Sequence, residues 1–194
     1  MEDVNDHIPV FEESSYKTEV KESVSVGSTV ITVRATDLDT GKNADLLYTI
    51  KSQSSKPDVF RIDPKTGVVT TRLKLDREAV STHTLVVQAE DQGPPGERLS
   101  AETSVTITIE DENDNYPQFT EKTYYVTVSE DIDWTQRPII GRVRALDADE
   151  GLNAVIHYSI IGGNTQDQEV VSRSEPIINE MGQRKLVLEL STVG

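Results

Sequence analysis

Between residues 104 and 110 the chain reads Ser104-Val105-Thr106-Ile107-Thr108-Ile109-Glu110, polar and apolar in strict turn. That period of two predicts a strand with one face in a core and the other in water. Similar stretches run from Tyr16 to Val20, from Thr29 to Ala35 with Ile31, Val33 and Ala35 on one face, from Leu47 to Ile50, and from Leu85 to Ala89. Phe60-Arg61-Ile62-Asp63 and Val68-Val69-Thr70-Thr71 flank Pro64-Lys65-Thr66-Gly67, whose proline and glycine suit a tight hairpin turn. About seven short, evenly spaced strands over roughly one hundred residues predict an all-β Greek-key sandwich.

The pattern then starts again. Tyr124 to Val128, Ile139 to Ala145 and Val155 to Ile160 read as strands in the same order. The polar runs between strands recur as well. Asp3-Val4-Asn5-Asp6-His7-Ile8-Pro9-Val10-Phe11 is matched by Asp111-Glu112-Asn113-Asp114-Asn115-Tyr116-Pro117-Gln118-Phe119, 108 residues later. Tyr16 and Tyr124, and Glu22 and Glu130, keep that offset, while Asp37-Leu38-Asp39 and Asp147-Ala148-Asp149, and the Asn43-Ala44 and Asn153-Ala154 pairs, lie 110 apart. Such a period is the length of a domain and exceeds the ~20–50 residues of a solenoid repeat. The expected organisation is the end of a linker at 1–8, a domain at 9–112, a linker at 113–116 and a second domain at 117–194. After Ile161 the correspondence stops: the Phe60 hairpin and Leu75-Asp76-Arg77-Glu78 have no counterpart, although Lys185 to Leu190 reads as a strand. The second domain is either truncated or divergent from there on.

Charge narrows the chemistry. With 19 Lys and Arg against 34 Asp and Glu, the 194 residues carry a formal −15, which argues against nucleic acid or an anionic membrane surface as partner. The regular β-branched alternation argues against disorder. There is no cysteine, no long apolar run, no signal peptide, and no nucleophile elbow to make an enzyme of the Ser, His and Asp present. The acid gathers instead in the repeated loops, where Asp, Asn and Glu offer the hard oxygens that Ca²⁺ takes six to eight at a time. His7, His83 and His157 are scattered, so zinc and copper are disfavoured. An EF-hand is excluded because Gly41 and Gly151 fall at the fifth loop position and not the sixth. One Asp-x-Asp loop alone is an ordinary solvated turn. Two of them, each after a strand and each matched to an Asp-x-Asn-Asp run, point to calcium.

Asp-x-Asn-Asp-x-x-Pro-x-Phe, Leu75-Asp76-Arg77-Glu78, Ala89-Glu90-Asp91-Gln92-Gly93-Pro94 and the Asp-x-Asp…Asn-Ala pairing occur in one order, and residues 1 to about 160 resemble the extracellular repeats of cadherins. The resemblance implies tandem seven-stranded, Ig-like Greek-key β-sandwiches stacked as a rod and joined by calcium-binding linkers. It implies that the central linker takes Glu22, Asp76, Glu78, Asp111 and Asp114 from the first domain. Asn113, Asp147 and Asp149 join them, with the backbone carbonyls of Glu112, Asn115 and Asn153. About three Ca²⁺ would nearly neutralise these seven carboxylates. Without metal, each close pair repels by roughly 4 kcal/mol at an effective dielectric of 20. At the other end Asn5, Asp6, Asp37, Asp39 and Asp91, with His7 and Asn43, form an incomplete set for which partial occupancy is expected. His7 stands where the family usually has Asn, a harmless change if that position ligates through its carbonyl. The second domain also lacks a counterpart of Asp91.

A linker motif already at residue 3 suggests an excerpt from the ectodomain of a longer plasma-membrane protein, of the long nonclassical Fat, Dachsous, flamingo or cadherin-23 type. The implied function is calcium-dependent cell–cell adhesion, with another cadherin ectodomain as partner, homophilic or heterophilic, and with any membrane contact made through a segment outside this chain. Trp134 lies inside the second domain, so the partner-exchanged tryptophan of cadherin tips does not transfer to it; packing or loop anchoring fits better. Two rival readings are a calcium-stabilised spacer outside the cadherins and an accessory domain of a hydrolase.

Overall fold

A computed structural model describes residues 3–125, 133–136, 139, 141–162, 177–178 and 184–189. The chain divides into two compact units, 1–112 and 113–194. Among the described residues there is no α-helix, and the regular structure is β with two short 3₁₀ turns.

The first unit holds β1 (Val10–Phe11), β2 (Ser15–Lys21), β3 (Thr29–Thr32), β4 (Ala35–Thr36), β5 (Leu47–Gln53), β6 (Phe60–Ile62), β7 (Val68–Thr71), β8 (Thr82–Glu90) and β9 (Ser100–Glu110). One sheet has the order β2-β9-β8-β5, the other β3-β7-β6, and β1 pairs with β4. Strand β2 runs parallel to β9, with Tyr16 opposite Val105, while β8–β9 and β5–β8 are antiparallel. The inward positions of the alternating strands meet in one core of Tyr16, Val33, Tyr48, Phe60, Val69, Leu75, Leu85, Val87, Ala89, Val105, Ile107 and Ile109. On β9 the alternation is literal: Thr103, Val105, Ile107 and Ile109 are buried and their neighbours are not.

The hairpin forms where expected. Asp63 Oδ1 accepts from the Lys65 and Thr66 amides and from the Thr66 hydroxyl, which closes the turn between β6 and β7. Gly67 sits at φ +68°, and a Cβ there would lie 2.2 Å from the Val33 carbonyl oxygen. Only glycine allows that approach, and the Val33 amide donates to the Gly67 carbonyl at 3.0 Å.

The run from Thr29 to Ala35 is two strands rather than the single one expected. β3 pairs with β7 and β4 pairs with β1, so the chain changes sheet at Val33-Arg34. The exposed ladder groups are taken up by aromatic hydroxyls. Tyr16 Oη donates to the Arg34 carbonyl at 3.0 Å and accepts from its amide, and Tyr48 Oη accepts from the Ala35 amide at 2.9 Å. Phe11 packs edge-on against Tyr16 and tilted against Tyr48, which fixes both hydroxyls.

The second unit repeats this corner. β10 (Gln118–Phe119) pairs with β11 (Ala145–Leu146) as β1 does with β4. Tyr124 Oη donates to the Arg144 carbonyl at 2.7 Å, the Ala145 amide donates to Tyr158 Oη at 2.9 Å, and Phe119 packs on both rings. Tyr124 and Tyr125 are not in a strand; Val126 to Val128 and Glu130 lie outside the described residues, as does Ile140. Of the described residues from Ile139 to Ala145, only Ala145 is in a strand. Trp134 opens a 3₁₀ turn, Trp134–Gln136, and its side chain lies outside the described part. β12 (His157–Gly162), β13 (Ile177–Ile178) and β14 (Arg184–Glu189) form a three-stranded sheet of order β12-β14-β13. The strand read from Lys185 is thus β14, which runs parallel to β12, while Leu190 lies outside the described residues.

Candidate metal centres

Three groups of the acidic and amide residues singled out by sequence lie at the ends of these strands. The first is at the start of the first unit. The Asp37-x-Asp39 loop follows β4, and the Asp39 amide donates to Asp37 Oδ1 at 2.9 Å, which closes a local turn. His7 faces this loop: its amide donates to Asp39 Oδ2 at 3.1 Å, and Nδ1 lies 2.6 Å from Asp39 Oδ1 and 2.9 Å from Asp6 Oδ1. The bond to Asp39 raises the imidazole pKa above its usual 6.5, helped by the charges of Asp39, Asp6 and Asp37 and opposed by loss of solvent. Burial pushes the Asp39 carboxyl up, but the His7 bonds more than offset this and leave it low.

Asp91, fully buried, closes the same group. It accepts from the Gly93 and Leu99 amides at 2.8 and 2.7 Å and from Asn5 Nδ2 at 3.1 Å. Asn43 ends a 3₁₀ turn, Gly41–Asn43, and its Nδ2 donates to Asp3 Oδ2, which also accepts from the Thr40 amide. Two participants were missed by sequence reasoning. Asp3 is the positional equal of Asp111, and the 108-residue offset already marks it. Gly93 is a bare cradle: a Cβ there would meet Asn5 Nδ2 at 2.8 Å and Asn43 Oδ1 and Asp91 Oδ1 at 3.0 Å.

The second group lies at the far end of the first unit. Glu22, 7% exposed just past β2, accepts from the Arg77 amide through Oε2 and from the Glu112 amide through Oε1, both at 2.9 Å. Asp76 Oδ1 accepts from the Ala79 amide. Arg77 reaches Asp111 Oδ1 through Nε at 2.5 Å and Glu78 Oε1 through Nη2 at 2.6 Å. Burial works against the guanidinium charge, but Asp111 and Glu78 outweigh it and hold the pKa above its ordinary value. Lys21 pairs with Glu112 at 2.9 Å and lowers that carboxyl.

The third group opens the second unit and repeats the first. Asp149 takes the Asn115 amide at 3.1 Å and Asn115 Nδ2 at 2.8 Å, both on Oδ1; the Asp149 amide donates to Asp147 Oδ1 at 3.0 Å. Asp114 Oδ1 accepts from Asn115 Nδ2, and the Asn153 amide closes a turn on the Glu150 carbonyl.

Four side-chain oxygens among the described residues are buried and have no hydrogen-bond partner: Asn5 Oδ1, Asp37 Oδ2, Asn113 Oδ1 and Asp149 Oδ2. A buried acceptor without a partner costs roughly 1–3 kcal/mol, so native chains rarely keep one idle. All four belong to the repeated motifs, all are hard oxygens, and the Asp6, His7 and Asp39 ligand atoms also lie within 4.8 Å of one another. The donor set fits a hard divalent cation such as Ca²⁺.

A cadherin-domain model matches residues 16–110. The chain is 47% identical over 177 residues to the Protocadherin-like wing polarity protein stan of Drosophila melanogaster, and 46% identical over 182 residues to Cadherin EGF LAG seven-pass G-type receptor 1 of mouse. The chain is made of cadherin repeats. These matches cover 86% and 92% of it but only 5% and 6% of the relatives, so it spans about a twentieth of their length. The crystal structure of mouse cadherin-23 EC22-24 matches 79% of this chain and 47% of its own at a TM-score of 0.70 and 31% identity. The protocadherin gammaB4 extracellular domain matches 97% of this chain and 30% of its own at 0.69 and 28%. Cadherin repeats are extracellular modules of adhesion receptors, not enzymes, and cadherin domains typically bind Ca²⁺; acidic clusters of the corresponding kind are present here.

Proposed function

We propose that these repeats act as a calcium-stiffened segment of an adhesion receptor's ectodomain, with another cadherin ectodomain as partner. The observation that carries this reading is the set of four buried, partnerless oxygens, each on a repeated acidic motif. Glu22, Asp76, Glu78 and Asp111 would supply one part of the ligand set of the central linker. Asn113, Asp114, Asp147 and Asp149 would supply the other, with carbonyls of Glu112, Asn115 and Asn153. About three Ca²⁺ are proposed there, and partial occupancy at Asn5, Asp6, His7, Asp37, Asp39, Asn43 and Asp91. A bound metal would supply positive charge; the chain's own part is to hold its carboxylates within reach through backbone hydrogen bonds, as at Glu22 and Asp149.

The relatives' names support the choice of receptor class, since they describe a wing polarity protein and a seven-pass receptor. Thermal melts in EDTA and in millimolar Ca²⁺, with Mg²⁺ as control, test the metal reading. Calcium at ~100 times Kd stabilises by about 2.7 kcal/mol, and the account expects a rise in Tm specific to Ca²⁺. Identical melts in EDTA and Ca²⁺ would leave the carboxylates as solvated surface and remove the mechanism.

A further inference from the structure

We propose that Arg77 is a built-in counter-cation of the second group, bracing Glu78 and Asp111 in the metal-free chain and competing with Ca²⁺ for them. The inference rests on the calcium reading above. The guanidinium is 11% exposed, and the two carboxylates it spans are 23% and 13% exposed. A cation so withdrawn from water needs partners fixed on either side, and the planar fork of arginine supplies two directed donors where an ammonium supplies a point charge.

The oxygens it engages belong to two of the carboxylates proposed as ligands. A carboxylate oxygen at 2.5–2.6 Å from an arginine nitrogen is committed to a charge-assisted bond. A cation arriving there must either displace the guanidinium or share the oxygen with it. Glu22 is held differently: both its oxygens accept backbone amides, so its position does not depend on Arg77's charge. The competition therefore concerns Glu78 and Asp111. Arg77 keeps like charges from forcing this end open without metal, and by the same contacts it lowers the apparent affinity for calcium. Its effects on the two states have opposite signs, which an ordinary packing residue does not produce.

The test is a calorimetric Ca²⁺ titration of the 194-residue chain, beside melts in EDTA, for the wild type, Arg77→Met and Arg77→Lys. The Met variant is expected to melt lower in EDTA yet to bind its tightest-affected ion about tenfold more strongly. The Lys variant, which keeps the charge and loses the fork, is expected to move the same way by about threefold; it decides the matter if the Met variant does not fold. Unchanged or weaker calcium binding in the variants, with a calcium-binding wild type, overturns the role given to Arg77 and leaves the calcium reading intact. A wild type that takes up no calcium overturns both.

Discussion

The motif that opens the first unit and the one that opens the second share their framework almost bond for bond. In each, the amide of the motif's fifth residue donates to the second aspartate of the Asp-x-Asp loop at 3.1 Å, and the loop amide turns back on the first aspartate at 2.9 or 3.0 Å. One difference lies in the side chain of that fifth residue. His7 engages both oxygens of Asp39, whereas Asn115 places both of its donors on Oδ1 of Asp149 and leaves Oδ2 buried with no partner. The same backbone thus yields a carboxylate occupied by its own neighbour in one copy and one with a buried, partnerless oxygen in the other. The lesson is that the identity of a single flanking residue, with no change of fold, sets which carboxylate of a repeated loop keeps a partnerless oxygen: Asp37 in the first copy and Asp149 in the second.

The largest expected effect comes from Asp91, fully buried in the first copy. Asp91→Ala removes a buried acceptor, strands the Gly93 and Leu99 amides and leaves Asn5 Nδ2 with only the Glu97 carbonyl, so it should cost about 3 kcal/mol or more, read as a fall in Tm of the first repeat. A near-wild-type melt would mean that the first copy does not depend on that closure. Next come the paired tyrosines. Tyr16→Phe loses two bonds to the Arg34 backbone and should cost ~1–2 kcal/mol, and Tyr124→Phe, whose bonds to Arg144 are more exposed, should cost less. Equal costs would show that burial does not separate the two corners.

A smaller effect distinguishes the histidines in EDTA. His83 is buried against Phe60 and bonded to Ser55, and its burial lowers its pKa below 6.5. The unfolded chain then binds a proton that the folded chain refuses, so stability falls as pH drops through 6.5 toward the lower folded value. His7 has the opposite sign: its contribution is full below 6.5 and fades as pH rises through the raised folded value. His83→Gln should flatten the loss of Tm between pH 7 and 5, and His7→Asn should steepen it. The smallest effect tests the comparison itself. His7→Asn recreates the second copy in the first and should strengthen calcium binding at the first unit's start by a few-fold; no change there would make the side chain irrelevant.

Much of this was legible because the physics is local. A period of two marks the buried face of β9 without any partner in view, and the 108- and 110-residue offsets align two motifs whose geometry then repeats. What escaped depends on contacts that a pattern does not carry. The apolar alternation of Ile31, Val33 and Ala35 continues straight through the change of sheet at Val33-Arg34, so nothing in it marks the break. Arg77 passes as a spacer between two acidic residues, although its charge is what joins Glu78 to Asp111. Gly93 looks like any loop glycine until a Cβ is set among Asn5, Asn43 and Asp91. The parallel pairing of β12 with β14 joins segments more than twenty residues apart, and no periodic cue spans that distance.

The central claim is that the partnerless oxygens are cation ligands in waiting, and Asp149 Oδ2 is the sharpest case. Asp149→Asn preserves shape and one oxygen while removing the charge, so a calorimetric Ca²⁺ titration of this variant beside the wild type tests the claim directly. At least about a tenfold loss of affinity at one or more central ions is expected, with the metal-free melt little changed. A titration superimposable on the wild type's would contradict it.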